Sequence, residues 1–180
     1  MPNPQLGVGV GVVNGIIYAV GGLSTPYGPV TGTVEAYDPL SNTWTAKAPM
    51  PKPLVPPFAV GVVNGILYAV GGYSGGTVEA YDPVTDTWTI KQPMLTPRSD
   101  FGVGVVNDVL YAVGGRTGGS FSVVNTVEAY DATTDTWTTK APMLTARYGL
   151  RVGVLNGVLY ALGGYLASGD STGANEAYLP

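Results

Sequence analysis

Small and apolar residues alternate through Gly7–Val13, and apolar residues then run unbroken through Ile16–Val20. Both stretches have the length of a β-strand, and polar turn residues separate them. Two more strand-sized pieces follow, about Thr33–Tyr37 and Thr43–Ala46. With the first two read as Gly7–Val13 and Ile16–Gly21, they form a unit of four strands, a to d. The unit then recurs. Its signature Gly11–Gly22, GVVNGIIYAVGG, returns as Gly61–Gly72, Gly104–Gly115 and Gly153–Gly164. The second glycine of the closing pair falls at Gly22, Gly72, Gly115 and Gly164, at spacings of 50, 43 and 49 residues.

The turns explain why the pieces fold back on one another. Asn14-Gly15, Asn64-Gly65 and Asn156-Gly157 separate strand a from strand b, with Asn107-Asp108 as a weaker version. Asn-Gly between β-rich segments predicts a tight hairpin, because both turn residues must adopt positive φ. Strands c and d are joined by YDPLSNTW, YDPVTDTW and YDATTDTW. There Asp38, Asp82 and Asp131 can accept bonds from their own backbone, and Pro39 and Pro83 preset φ. Proline at Pro49, Pro93 and Pro142 stops strand d. Each unit is therefore an antiparallel meander with two apolar faces, and stacking such sheets around an axis buries both.

The Gly-Gly pair, the following Tyr-Asp-Pro and a Trp seven residues after the Tyr (Trp44, Trp88 and Trp137) resemble the kelch repeat. The resemblance spans the whole chain. It implies one all-β domain over residues 1–180, a kelch-like β-propeller of about four blades near 1–50, 51–94, 95–143 and 144–180. The fourth stops at Pro180 before its strand d. Four blades leave a small closed ring, favoured as the more compact, or an open arc. An arc would expose apolar blade faces and self-associate.

Composition narrows the function more than it identifies it. Only 11% of residues are charged and the net charge is −4, which argues against nucleic-acid binding. The chain has no Cys and no His, which removes thiolate chemistry and the commonest general base and metal ligand. No cofactor or metal site and no catalytic set is expected. Glu35, Glu79, Glu128 and Glu176 recur in every unit and read as structural acids bonded to backbone or hydroxyl donors. Asp86 and Asp135 read as solvated turn residues. The tyrosines and tryptophans of the repeat read as packing between blades. No stretch reads as a signal peptide or a membrane span, so a soluble, cytoplasmic chain is the default expectation.

The residues that break the repeat are the candidates for function. All four arginines, Arg98, Arg116, Arg147 and Arg151, lie in the second half. Arg98 and Arg147 precede strand a, where the first half has Leu54 and Gln5. Arg116 directly follows a Gly-Gly, and Arg151 lies just inside strand a. The b–c connections Leu23–Gly32, Tyr73–Gly76, Arg116–Asn125 and Tyr165–Ala174 differ in length and carry or adjoin Tyr27, Tyr73, Phe121, Tyr148 and Tyr165. The d–a and b–c loops share one face, and arginine with aromatics is the composition of binding hot spots.

The kelch resemblance implies that this face binds a protein or peptide, with arginines at the positions of Arg98 and Arg147 taking acidic groups. The other reading of those arginines is solvation or a blade-to-blade ion pair. On the first reading, replacing both abolishes capture and leaves stability unchanged. Two alternatives stay beside the binding module. One is a structural or consensus propeller without a partner. The other is a sugar-binding or sugar-isomerising enzyme built from Glu, Arg and Tyr.

Overall fold

A computed structural model describes residues 1–73, 75–118 and 121–180. Ser74, Gly119 and Ser120, inside two of the b–c connections, lie outside the described residues. The first blade is β1 (Gly9–Val13), β2 (Ile16–Val20), β3 (Val34–Asp38) and β4 (Thr43–Lys47). The second is β5 (Ala59–Val63), β6 (Ile66–Val70), β7 (Val78–Asp82) and β8 (Thr87–Lys91). A short β9 (Arg98–Ser99) precedes the third blade, which consists of β10 (Gly102–Val106), β11 (Val109–Val113), β14 (Val127–Asp131) and β15 (Thr136–Lys140). Between β11 and β14 lie β12 (Arg116–Thr117) and β13 (Ser122–Val123). The fourth blade is β16 (Arg151–Leu155), β17 (Val158–Leu162) and β18 (Asn175–Tyr178).

Each blade is an antiparallel meander in chain order, with Gly11 opposite Tyr18, Gly61 opposite Tyr68, Gly104 opposite Tyr111 and Gly153 opposite Tyr160. The hairpins turn as their residues require. Asn14 has φ 50° and Gly15 79°, and Asn107-Asp108 adopts 50° and 62° without glycine. Strand bounds fall within two residues of those read from the sequence. The exception is the small sheet β13-β12-β9, formed from segments that read as loop.

Blades stack through strand a. β1 lies against β5, β5 against β10, and β10 against β16. The approach is close enough to need glycine. A Cβ on Gly11 would meet Leu67 Cδ2 at 2.4 Å, one on Gly61 would meet Leu110 Cδ1 at 2.7 Å, and one on Gly104 would meet Leu159 Cδ2 at 2.3 Å. Tyrosines from neighbouring blades meet in the same interfaces, Tyr18 with Tyr81, Tyr68 with Tyr130 and Tyr111 with Tyr178, at centroid distances of 5.5–5.9 Å.

The second and third blades each also clamp the backbone of the one before. Asp86 Oδ1 accepts the Ala48 amide at 2.9 Å, and Trp88 Nε1 donates to the Ala48 carbonyl at 2.8 Å. Asp135 and Trp137 do the same to Gln92, at 3.0 Å and 3.0 Å. Tyr81 and Tyr130 hydroxyls donate to these same carboxylates at 2.6 and 2.7 Å. Asp86 is exposed and Asp135 half-buried in their turns, and beyond the solvated role the sequence suggested each also clamps the preceding blade.

The ring favoured on compactness does not form. Among the described residues β16 and β1 are not a packed pair, so the blades make an open arc. The arc's inner side is a channel of about 740 Å³ lined by the strand-a residues of all four blades. Its two ends are bare. Val10 and Val12 are 54% and 55% exposed on the first blade, and Leu155 and Leu162 are 62% and 43% exposed on the fourth. No helix among the described residues is long and apolar enough to cross a membrane.

Candidate functional site

The backbone places one residue of each b–c connection beside one residue of the preceding d–a connection. Leu6 bridges Leu23, Tyr73 N donates to the Val55 carbonyl at 3.1 Å, Ser99 pairs with Arg116, and Tyr148 bridges Tyr165. Leu23, Tyr73, Arg116 and Tyr165 are therefore the same position in four blades, the one directly after Gly-Gly. Successive blades bring the last three toward one another across a shared face.

Arg116 is the hub. Its Nε donates to Asp100 Oδ2 at 2.9 Å, and its Nη2 contacts the same oxygen and donates to the Tyr73 hydroxyl at 3.2 Å. The guanidinium lies 4.1 Å from the Tyr148 ring centroid and 5.4 Å from that of Phe121. Tyr148 stacks on Tyr165 at 5.5 Å and 29°, and Tyr73 meets Phe121 edge-on at 6.0 Å. Burial opposes the Arg116 charge, but the Asp100 carboxylate outweighs it and holds the guanidinium pKa above its usual value. Burial, with the Asp100 charge second, pushes the Tyr73 hydroxyl up.

Five of the sequence candidates thus converge: Tyr73, Arg116, Phe121, Tyr148 and Tyr165. Arg151 is exposed and lines the channel with Asp100 and Tyr165. Tyr27 stands apart, fully exposed. Asp100 was missed by sequence reasoning. It occupies, at φ 55°, the left-handed position held by Gly7 and Gly149 in the first and fourth blades. An acid standing where the repeat has glycine was the available signal, since Asp tolerates that conformation better than most residues.

Arg98 and Arg147 are not on this face. Both are buried, at 2% and 0% exposure. Arg98 Nη2 lies 3.2 Å from Glu128, and Nη1 donates to the Thr126 carbonyl at 2.9 Å. Arg147 Nη1 lies 2.9 Å from Glu176, and Nη2 donates to the Ala161 carbonyl at 2.9 Å. Each arginine joins the start of its blade to strand c of the same blade. The ion pair is therefore within a blade, and neither arginine presents itself to a partner. The expectation that removing both leaves stability unchanged reverses with it, since a buried charge would lose its counter-charge.

The comparisons with known proteins agree with this architecture. The family model of the Kelch motif matches residues 6–51, 56–95 and 97–144. The solved structure of YjhT superposes with a TM-score of 0.83 at 18% identity, over 97% of this chain and 61% of that one. At that identity the likeness concerns the fold alone, and this chain spans under two thirds of that protein.

Proposed function

The chain belongs to the Kelch motif family, and on that footing we propose that it is a non-catalytic binding scaffold for a protein or peptide, engaged by the face around Arg116. The observation that supports this most is the convergence of Tyr73, Phe121, Tyr148 and Tyr165 on one arginine. These residue types dominate binding hot spots, and the stacking holds them in place before a partner arrives. Phe121, Tyr73 and Tyr165 are each about half exposed. Arg116, paired with Asp100, and the exposed Arg151 put two guanidinium groups on or beside the face in a chain of net charge −4, which suits an acidic group on the partner.

The test is selection of peptides from a random display library on the immobilised chain, repeated on Arg116→Ala/Tyr148→Ala. Enriched sequences should carry acidic residues and lose binding to the double variant. Enrichment of the same peptides on both proteins would refute the assignment.

The bare ends of the arc add self-association to the proposal. Gly153 faces open space where Gly11, Gly61 and Gly104 each receive a leucine of the next blade. Among the described residues Tyr160 meets no tyrosine from a following blade, and Tyr37 none from a preceding one. The fourth blade of one copy thus offers what the first blade of another lacks. Light scattering should show a concentration-dependent rise in mass that Leu162→Lys suppresses, and a monomer at all concentrations would remove this element.

A further inference from the structure

Inside the molecule Arg116 already holds an acid of the kind its face would take from a partner. We propose that Asp100 is a built-in occupant of the Arg116 site, that its Oδ2 marks where a partner's acidic oxygen binds, and that the partner enters by displacing it. This role rests on the reading of the Arg116 face as a site for an acidic partner, and it makes Asp100 the residue that sets how selective the face is.

Donors from two blades meet at one point. Arg116 Nε donates to Asp100 Oδ2 at 2.9 Å, Arg116 Nη2 contacts the same oxygen, and the Tyr73 hydroxyl lies 3.5 Å from it. Arg116 also has two supports that do not involve Asp100. The Tyr73 oxygen accepts from Nη2 at 3.2 Å, and the Tyr148 ring centroid lies 4.1 Å from the guanidinium. The donor set therefore stays in place when Asp100 leaves, and another acid can use it.

Asp100 is held there less firmly than the buried pair of the same blade. The side chains of Arg116 and Asp100 are 23% and 16% exposed, whereas those of Arg98 and Glu128 are 0% and 1% exposed. A guanidinium edge can meet both oxygens of a carboxylate in a fork, but here Nε and Nη2 converge on one. Asp100 also lines the channel, so its carboxylate has a place to turn to when another acid takes Arg116. The backbone argues in the same direction. This position is glycine in the first and fourth blades, with φ of 66° at Gly7 and 65° at Gly149, and Asp100 adopts 55°. The turn itself needs no side chain, and aspartate there carries a conformational cost that glycine avoids. What the carboxylate gains at this position is Arg116.

The consequence is selectivity. A carboxylate tethered beside Arg116 competes at high effective concentration with any acid arriving from solution. A neutral group does not displace it, and a lone carboxylate gains little by exchanging like for like. A partner must add contacts of its own flanking groups with the half-exposed rings of Tyr73, Phe121 and Tyr165. The face thus requires an acid and apolar neighbours together.

The probes are the capped peptide Gly-Tyr-Glu-Tyr-Gly and its glutamine analogue, each carrying a fluorophore and titrated with the full 180-residue chain. Asp100→Gly places there the glycine of the first and fourth blades. It should tighten the glutamate peptide about tenfold and leave the glutamine peptide unchanged, as read by anisotropy. Asp100→Asn keeps the size of the side chain and its tolerance of positive φ, and should act in the same direction. Arg116→Ala should erase the difference between the two peptides in every background. If Asp100 only positions the guanidinium, both Asp100 variants weaken the glutamate peptide. That result, or unchanged affinity, would overturn the proposal while leaving the face a site for acids. A glutamate peptide that binds no better than its glutamine analogue, to wild type and to Asp100→Gly alike, would remove the acidic reading of the face as well.

Discussion

The two halves of the chain handle the same repeated carboxylate differently. Glu35, Glu79, Glu128 and Glu176 hold one position in strand c, yet only the last two face an arginine. In the second blade Leu54 stands where Arg98 stands in the third, and Glu79 is fully buried with, among the described residues, only the Lys52 amide, at 3.4 Å, donating to it. In the first blade Asn3 donates to Glu35 from its side chain at 2.6 Å and from its backbone at 3.3 Å. Burial pushes the Glu79 carboxyl above its usual range, against weaker opposition from the Lys52 amide and ammonium. For Glu176 burial acts in the same sense but loses. The Leu144 and Thr145 amides and the Arg147 charge hold it below the usual range. For Glu79 and Glu176 the direction of the shift thus follows how many donors the preceding loop brings to the carboxylate, one weak amide in the first case and two amides with an arginine in the second.

The comparison breaks most sharply at Arg98. Arg98→Ala strands Glu128 in the core without its counter-charge and should cost about 3–5 kcal/mol, read from urea unfolding at pH 7. Loss below about 1 kcal/mol would mean that solvent reaches the pair.

Glu176→Gln comes next. Removing a carboxylate that accepts two amides and an arginine should cost about 1.5–3 kcal/mol at neutral pH. Its folded pKa lies below the unfolded value of roughly 4.3, so its contribution is present above that value. The contribution is lost as pH falls through the folded pKa, and Glu176→Gln should remove that acid-side slope.

Glu79→Gln should act with the opposite sign and a smaller size. A folded pKa above the unfolded one means that the native state holds the proton more tightly, so stability falls as pH rises through the interval between the two. The glutamine variant should melt higher than wild type at pH 7 and show less decline over that interval. A lower melting temperature at pH 7 would show that the charged form is favoured in place.

The smallest effect belongs to Tyr27→Ala. That ring is fully exposed and belongs to none of the ring or guanidinium contacts of the second half. Its melting temperature should stay within about 0.5 kcal/mol equivalent of wild type, and peptide capture should be unchanged.

Much of the fold was legible because it is written locally. Asn-Gly dictates a hairpin wherever it occurs, and the proline after strand d ends the ladder whatever surrounds it. The site was legible in part for the same reason. Tyr73, Arg116 and Tyr165 could be found as departures from a repeated position, and aligned positions in neighbouring blades come close in space. What stayed hidden depends on distances between segments. That Arg98 turns inward follows from Glu128 lying one strand away, which chain order does not reveal. Arc or ring depends on the angle between blades, and side-chain packing sets that angle. Asp100 and Arg116 are 16 residues apart and meet through the small sheet β13-β12-β9, which no periodicity announces.

The clamp between blades has a consequence for how the chain can change length. Asp86 with Trp88, and Asp135 with Trp137, grip only main-chain groups, and they grip alanine and glutamine positions alike. One blade's grip therefore fits the tail of any other. Excising a whole repeat such as 51–94 would join two ends that already match, so blade number is nearly a free variable of this scaffold. The aromatic ladder around Arg116 has no such freedom. It draws one residue from each of several blades, and losing the second blade would take Tyr73 with it.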